Sequence, residues 1–599
     1  PQPWELSQLF LYRLDLTGRD QPIGTRAQDF RDFGLYNLMI YSRAEQMYGA
    51  LRDAIGDSAF ATFLHLYFER WKLKHVDELA MLRAAEDASG QKLGWFFDQW
   101  VHRTGLIDYA LSDVRTVREE SGSGWITRAR VRRLGAYLHP VPLGVRTASG
   151  WTRARVSPSP DRDVPVEVRT AERPLEVRLD PDRVTEDWDR RNDVTTGSSR
   201  YVFDWPFLRQ YERERQIVAL SPVAWYSRTG GVTGALRMRS NYQGLVDQRE
   251  LGLALSERLP RYPGGVDSLG RYVLGEQATP LSRLQGWAAV ENPRIGGRSP
   301  LIGVRAGIWA LDGIFRGELR KSWDDSPFPV VRGPRLTHSL AFGATFPYDS
   351  KWLDFGRWSD VTTLDLTLED DRQSASVSGL ASHVRFAGGW SGGQHARDLG
   401  GAFYGIAELE LKKSNARGAR GLDHARVYLG LSDNTPLQRS LGLSALDGFQ
   451  TFENHLLRPA GSILSPYHQQ NVHYEALGGP ALRGYSPLVR VRQLGTGSIA
   501  AANLELTEAV NRPAGGSLVP QIRIGTFGDA GFLLGAPKTR DATLADAGLG
   551  VSARGRLFDR DYVVRLDQPL YVRQPLLAVG EPDVERVKYR WAFSFRDLW

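Results

Sequence analysis

The stretch "EALGGPALRGYSPLVR", Glu475–Arg490, decides how the C-terminal two thirds of the chain is read. It sets Arg483 between Leu482 and the pair Gly484–Tyr485. Gly478, Gly479 and Pro480 just before it are loop punctuation, and Gly484 permits a sharp backbone turn. On its own such a match fits a surface loop with a solvated arginine. The sequence on either side therefore carries the decision.

From Ile217 onward, strand-like runs of about ten residues alternate with turns and polar loops. In "FYGIAELELKK", Phe403, Gly405, Ala407, Leu409 and Leu411 share one face, and Tyr404, Glu408, Glu410 and Lys412 the other. In "IAAANLELTE", Ala500, Ala502, Leu504 and Leu506 oppose Asn503, Glu505 and Thr507. In "QIRIGTFGD", Ile522 and Ile524 oppose Gln521, Arg523 and Asp529. The last run, "KYRWAFSFRDLW", sets Tyr589, Trp591, Phe593 and Phe595 against Lys588, Arg590, Ser594 and Arg596, and ends on Trp599.

Alternation alone does not say which face is inside. A soluble sandwich buries its apolar face, whereas a transmembrane barrel turns that face to lipid and keeps a polar lumen. Full charges on the polar faces and the aromatic terminal strand favour the barrel. At roughly 24 residues per strand with its connection, this segment holds about 16 strands, an even number.

The ordered set of motifs then resembles the BamA/TamA/FhaC superfamily of outer-membrane assembly and translocation barrels, the bacterial surface antigen family. "LRGY" is similar to its [V/I]RG[F/Y] loop motif, with Leu482 in place of Val or Ile. "NLEL" at Asn503, "FGDAG" at Phe527, "AGLGV" at Ala547 and "VRLDQPL" at Val564 follow in the family's order. The resemblance implies a loop folded back into the lumen, its arginine facing acidic residues of the wall. An arginine carried inward needs a carboxylate. Asp529 is expected to take Arg483, with Glu505 as second acceptor, and Gly484 and Tyr485 complete the loop lock. Trp591, Phe593, Phe595 and Trp599 are expected to serve as the membrane-insertion signal read by the outer-membrane assembly machinery.

Upstream, the texture is helical. Met47, Leu51 and Ile55 recur at four-residue intervals; Gly56 is placed to stop that helix, and Asp57 to cap the next. Phe60, Phe63, Leu64 and Tyr67 follow the spacing of a buried face. Further helices are expected over Val76–Ala88 and Leu93–Arg103. "YSRAEQMYGALRDAIGDSAF", "YFERWKLKH" and "WFFDQWVHRTGLIDY" together resemble the helical C-terminal part of aminopeptidase N-like zinc metallopeptidases (gluzincins). The resemblance makes Tyr41 the catalytic tyrosine, donating to the oxyanion of a tetrahedral intermediate. The family continues with Lys-Gly where this chain has Arg43–Ala44.

The family's zinc helix, HExxH with a later Glu, does not occur in the sequence. In the family those ligands precede the tyrosine, so they would fall before Pro1. Zinc is thus implied for the full-length protein, with no ligands in this chain. His468 and His473 lie in a Gly/Pro-flanked loop and are read as non-metal, and His65 and His75 as packing or capping residues. The N-terminus lacks both an initiator Met and the pattern of a signal peptide, so the chain reads as a fragment or processed product.

Between these parts, "WITRARVRRL", "VPLGVRTASGW" and "VPVEVRTAERPLEVRLDP" alternate with period two and read as a small β-sandwich. "TEDWDRRNDVTTGSSR" reads as a polar linker whose charges form a solvated face. The expected organisation is multidomain: 1–106, the helical part of a peptidase-like domain; 107–182, a β-sandwich; 183–216, a linker; 217–599, an outer-membrane β-barrel.

The 599-residue chain has no cysteine, which excludes disulfides and thiolate metal sites. A net charge of +7 without a long basic run excludes nucleic acid as an expected partner. No run of about 18 apolar residues exists, so a transmembrane helix is not expected. The leading expectation is a barrel-anchored, aminopeptidase-like metallopeptidase acting on peptides or polypeptides. Its barrel would sit in outer-membrane lipid with the peptidase module in the periplasm, and this chain alone would be inactive. The alternative is a non-catalytic assembly or translocation factor that binds clients through the peptidase fold. It lacks the repeated βααβ modules such factors carry. A soluble multidomain hydrolase is the third reading.

Overall fold

The computed structural model describes residues 3–594 apart from several stretches between elements, the longest being 325–334, 393–402, 453–471 and 574–590. Helices Pro3–Thr17, Phe33–Asn37, Ala44–Ile55, Asp57–Trp71, Glu78–Ser89 and Gly94–His102 form the N-terminal part, with a π-helical stretch at Leu38–Arg43. Local chemistry fixes their ends. Asp32 and Asp77 accept the Leu35 and Ala80 N–H groups as N-caps, while Gly56 and Gly90 adopt positive φ at C-termini. Asp57 stands inside its helix and pairs with Arg52, so Gly56 takes the cap position instead.

Two three-stranded antiparallel sheets follow. One holds Tyr109–Arg118, Trp125–Arg133 and Asp163–Thr170; the other holds Gly150–Val156, Val141–Thr147 and Glu176–Leu179. Leu51, Phe63, Phe96 and Trp100 from the helices share one core with Val131, Leu143, Val145 and Leu179 from the sheets. Helices and sheets therefore bury their apolar faces against each other as one packed module. Leu64 faces solvent rather than this core, as do His65 and His75. On the long helix only Phe63 is fully buried, so the apolar stripe is narrower than its sequence spacing suggests.

The rest of the chain closes into a barrel. Eighteen strand segments lie in the ring among the described residues. Two of these, Ser199–Phe203 and Val472–Tyr474, are short parallel additions. The remaining sixteen, from Gln216–Ser227 to Trp591–Ser594, form an up-and-down antiparallel barrel. Exposure along the strands settles which face is inside. Leu504 and Leu506 are 61% and 52% exposed, whereas the alternating Asn503 and Glu505 are 0% and 4% exposed. Leu366, Leu368, Phe386, Leu409 and Leu549 likewise face outward. An apolar outer belt around a charged interior is what lipid outside and polar contacts inside require. No helix among the described residues is long and apolar enough to cross a membrane.

Candidate functional site

Described parts of the connection between Gly421–Asp433 and Ser498–Ala509, around 437–444 and 478–485, pack inside the barrel. Within it, the Leu482 N–H donates to the Leu443 carbonyl at 2.9 Å and the Tyr485 N–H to the Leu482 carbonyl at 3.1 Å, a tight turn that presents Arg483. A β-carbon on Gly484 would lie 2.6 Å from that of Asp546 and 2.8 Å from Val572, so only glycine lets the loop approach the wall this closely.

Arg483 is completely buried. Its Nε and Nη2 donate to the two oxygens of Asp529 at 2.9 and 2.8 Å, and its Nη1 donates to Glu505 at 2.8 Å. The guanidinium also lies 3.7 Å from the centre of the Phe527 ring. The fork geometry of arginine meets the carboxylate with two parallel bonds. The Tyr485 hydroxyl accepts the Ala545 N–H at 3.0 Å and donates to the Arg573 carbonyl. Arg483, Gly484, Tyr485, Asp529 and Glu505 thus meet at one point on the inner wall.

The sequence reading missed several partners there. Arg565 donates to Glu505 at 3.0 Å and to Asp567 at 2.7 and 2.9 Å. Asn503 donates to Asp529 at 3.0 Å and to the Ala481 carbonyl at 3.1 Å. Arg426 donates to Asn503 at 2.7 Å and to Glu410 at 2.9 Å, and also holds the Gly479 carbonyl. A second anchor, Arg439, reaches Asp365 at 2.6 Å, with Arg316 donating to the same carboxylate at 3.4 Å. Phe449 stacks against both guanidiniums. The available signal was alternation itself: Arg565 and Asp567 share a face two residues apart.

Of the aromatic terminal residues, Trp591 and Phe593 lie in the last strand, which pairs with Arg565–Asp567. Phe595 and Trp599 lie outside the described residues, as does His468. His473 belongs to the short strand Val472–Tyr474.

Tyr41 is 67% exposed and sits in the π-helical stretch, a departure from regular helix often found at functional sites. Arg43 of the same stretch is buried against Asp15 and donates to Gln46 at 3.2 Å. No group of three His, Cys, Asp or Glu among the described residues is placed to hold a metal ion. The described residues therefore do not fit zinc.

The stretch "TEDWDRRND", Thr185–Asp193, differs from the solvated face expected of it. Asp187, Trp188, Asp189, Arg190 and Asp193 are all buried. They form the joint between module and barrel. Asp187 accepts the Tyr109 N–H at 2.7 Å and the Asp189 N–H at 3.0 Å. The Trp188 indole donates to Asp108 at 2.8 Å. From the barrel's turns, Arg294 donates to Asp108 at 3.0 Å and pairs with Asp189, and Asp247 accepts from Arg191 at 2.9 Å. The Tyr242 hydroxyl accepts the Arg190 N–H at 3.0 Å. On the same rim, Arg13 reaches Asp324 at 2.8 Å. Burial, then the nearby Asp108, pushes the Asp187 carboxyl well above the usual carboxylate range. Burial, then Asp187, does the same to Asp193. The charge run is consumed by pairing across two packed surfaces, which a sequence pattern does not reveal.

Fold and interior together define a β-barrel of the outer-membrane type, locked by an inward loop and bearing a mixed helix–sheet module on one rim. Residues 8–100 of that module match the peptidase family M1 domain, so the chain joins a segment similar to that domain to such a barrel. No curated protein sequence matches the chain. Among solved structures, it is similar to aminopeptidase A of Legionella pneumophila in complex with aspartic acid, at 12% identity and a TM-score of 0.21. That likeness covers 26% of this chain and 18% of the aminopeptidase. CdiB from Escherichia coli is similar at 11% identity and TM-score 0.32, over 62% of this chain and 60% of that one. BamA from Haemophilus ducreyi lacking POTRA domains 1-3 is similar at 10% identity and TM-score 0.31, over 62% and 69%. The chain thus spans just under a fifth of that aminopeptidase and less than two thirds of that CdiB.

Proposed function

We propose that this chain anchors an M1-type aminopeptidase to the outer membrane and holds it at the periplasmic rim of a loop-locked barrel. The observation that carries this reading is the M1 segment fastened to the rim through the buried joint, with the Tyr41 phenol exposed. In this reading, Tyr41 donates to the oxyanion of the tetrahedral intermediate as a peptide bond is cleaved. The family is zinc-dependent in general. Its ligands would come from outside this sequence, and peptides or polypeptides would be the substrates. The lipid around the barrel and the machinery that inserts it are the remaining partners.

The inward loop lock favours a second reading, a non-catalytic assembly or translocation factor in which the M1 segment binds clients. One experiment separates the two. Membranes carrying the complete reading frame are assayed with zinc for release of N-terminal residues from peptide substrates. The peptidase reading expects turnover that Tyr41→Phe lowers about 10²-fold at similar KM. Zinc-loaded membranes without any turnover would sink it in favour of client binding.

A further inference from the structure

The barrel closes on a piece of chain that precedes it. The ring runs from the last strand, Trp591–Ser594, through Ser199–Phe203 to the first strand, Gln216–Ser227. Ser199–Phe203 lies parallel to residues 216–220, with Ser199 beside Gln216 and Phe203 beside Leu220. On its other edge the first strand pairs antiparallel, residues 217–227 with 231–241. Among the described residues, the pairing at the seam is thus short and parallel, an arrangement slightly less stable per residue.

Side chains fit the inserted segment to the wall. Tyr201, Phe203 and Trp205 are exposed, and the last two rings meet edge to face at 4.7 Å. Asp204, between them in sequence, is buried. Its N–H donates to the Leu220 carbonyl at 2.8 Å. Its carboxylate reaches past the first strand to the second, Gly231–Tyr242, and accepts from Arg239 at 2.8 and 2.6 Å and from Arg237 at 3.1 Å. Both arginines alternate with the exposed Val232 and Leu236, so this clamp lies on the inner face. A two-pronged bond of this kind fixes position as well as adding attraction. The segment begins five residues after Val194, which bridges to Arg178 of the module.

We propose that Ser199–Phe203 is a detachable seam latch, pinned by Asp204 on Arg237 and Arg239, that keeps the edge of the first strand from pairing with any other strand. An open strand edge is a template for another chain. The latch is therefore an autoinhibitory contact: release of one carboxylate frees the edge at residues 216–220 and leaves the antiparallel wall in place. It is independent of any peptidase activity and of the lumen lock, whose acceptors lie on Ser498–Ala509 and Gln521–Leu534.

The test is hydrogen–deuterium exchange of the full chain in mild detergent, read peptide by peptide by mass spectrometry. Asp204→Ala should speed exchange at least tenfold over residues 199–203 and 216–220 and leave Ser498–Ala509 unchanged. The chain has no cysteine, so the neighbours Phe203→Cys and Leu220→Cys can be oxidised as a single pair. In the Asp204→Ala background the oxidised pair should restore wild-type protection, and the reduced pair should not. A synthetic peptide with the sequence of residues 199–205, added in excess to Asp204→Ala, should slow exchange over 216–220 by occupying the freed edge. Equal exchange in wild type and Asp204→Ala would overturn the proposal, as would a peptide without effect. Faster exchange that extends to Ser498–Ala509 would overturn it too, because Asp204 would then support the whole barrel rather than a latch. If Asp204→Ala does not fold, the cysteine pair in the otherwise native chain decides: oxidation should slow exchange over 216–220 several-fold, and no slowing overturns the latch.

Discussion

Replacing Arg483 by Ala tests the lumen lock, and the structure fixes both the sign and the asymmetry of the outcome. The substitution removes three charge-assisted side-chain bonds at 2.8–2.9 Å and a cation over the Phe527 ring. The two acceptors are not left equal. Glu505 keeps Arg565, which donates to both of its oxygens. Asp529 loses its only guanidinium among the described residues and retains the Asn503 amide. Most of the cost therefore comes from one stranded carboxylate. Breaking a buried pair from one side costs about 3–5 kcal/mol.

That figure makes a second substitution informative. Asp529→Asn in the Arg483→Ala background removes the stranded charge and should recover a large part of the loss. The double variant is then more stable than Arg483→Ala alone. Arg483→Lys keeps the charge without the two-pronged fit and should fall between Ala and wild type. The assay is the midpoint of the heat-induced mobility shift of the barrel on a detergent gel. At about 2–4 °C per kcal/mol, the single variant should lose roughly 6–20 °C. A midpoint for Arg483→Ala equal to wild type would refute the lock, and so would a double variant weaker than the single.

Other consequences can be checked in the same material. Asp546 is buried directly across the ladder from Asp529 and beside the Gly484 turn. With Glu505, Asp529, Asp567 and Asp546 facing Arg483 and Arg565, carboxyls outnumber guanidiniums, so Asp546→Asn should leave the mobility midpoint unchanged or raise it by a few degrees. Arg294→Ala leaves Asp108 and Asp189 without their barrel partner and should speed proteolysis between residues 183 and 216 several-fold, with the barrel's own midpoint intact. The joint should also respond to pH. Because Asp187 and Asp193 hold their protons more tightly when folded, their contribution is greatest at low pH and declines as pH rises above the ordinary carboxylate range toward their raised values. Limited proteolysis from pH 5 to pH 8 should accelerate, and Asp193→Asn should flatten that trend.

The barrel was legible because lipid imposes a periodicity that survives in the sequence. "IAAANLELTE" alternates, and its leucines are the exposed side chains. The strand number followed from length alone, since each crossing of a bilayer has a fixed reach. The joint was not legible for the opposite reason. In "TEDWDRRND" charge is buried by partners such as Arg294 and Asp247, which lie about 100 and 60 residues away along the chain. A local pattern sees the charges and not the surfaces that meet over them. Leu64 misled in the reverse direction: helical spacing placed it on an inner face, while Phe60, Phe63 and Tyr67 meet the core and Leu64 faces solvent.

The same contrast explains how so much charge is tolerated inside the barrel. Arg385 pairs with Glu408, and Arg426 with Glu410. Arg439 and Arg316 share Asp365, and Arg483 and Arg565 share Glu505. Each pair joins different strands, or a strand and the inward loop, so every pairing also fixes a register or a loop position. An apolar interior of equal volume would be no less stable, because desolvation offsets much of the attraction within buried pairs. It would, however, let the loop settle against many equivalent surfaces, whereas a guanidinium fork accepts few. Polar faces here are therefore read as instructions for where the loop goes, and the apolar faces as instructions for where the membrane goes.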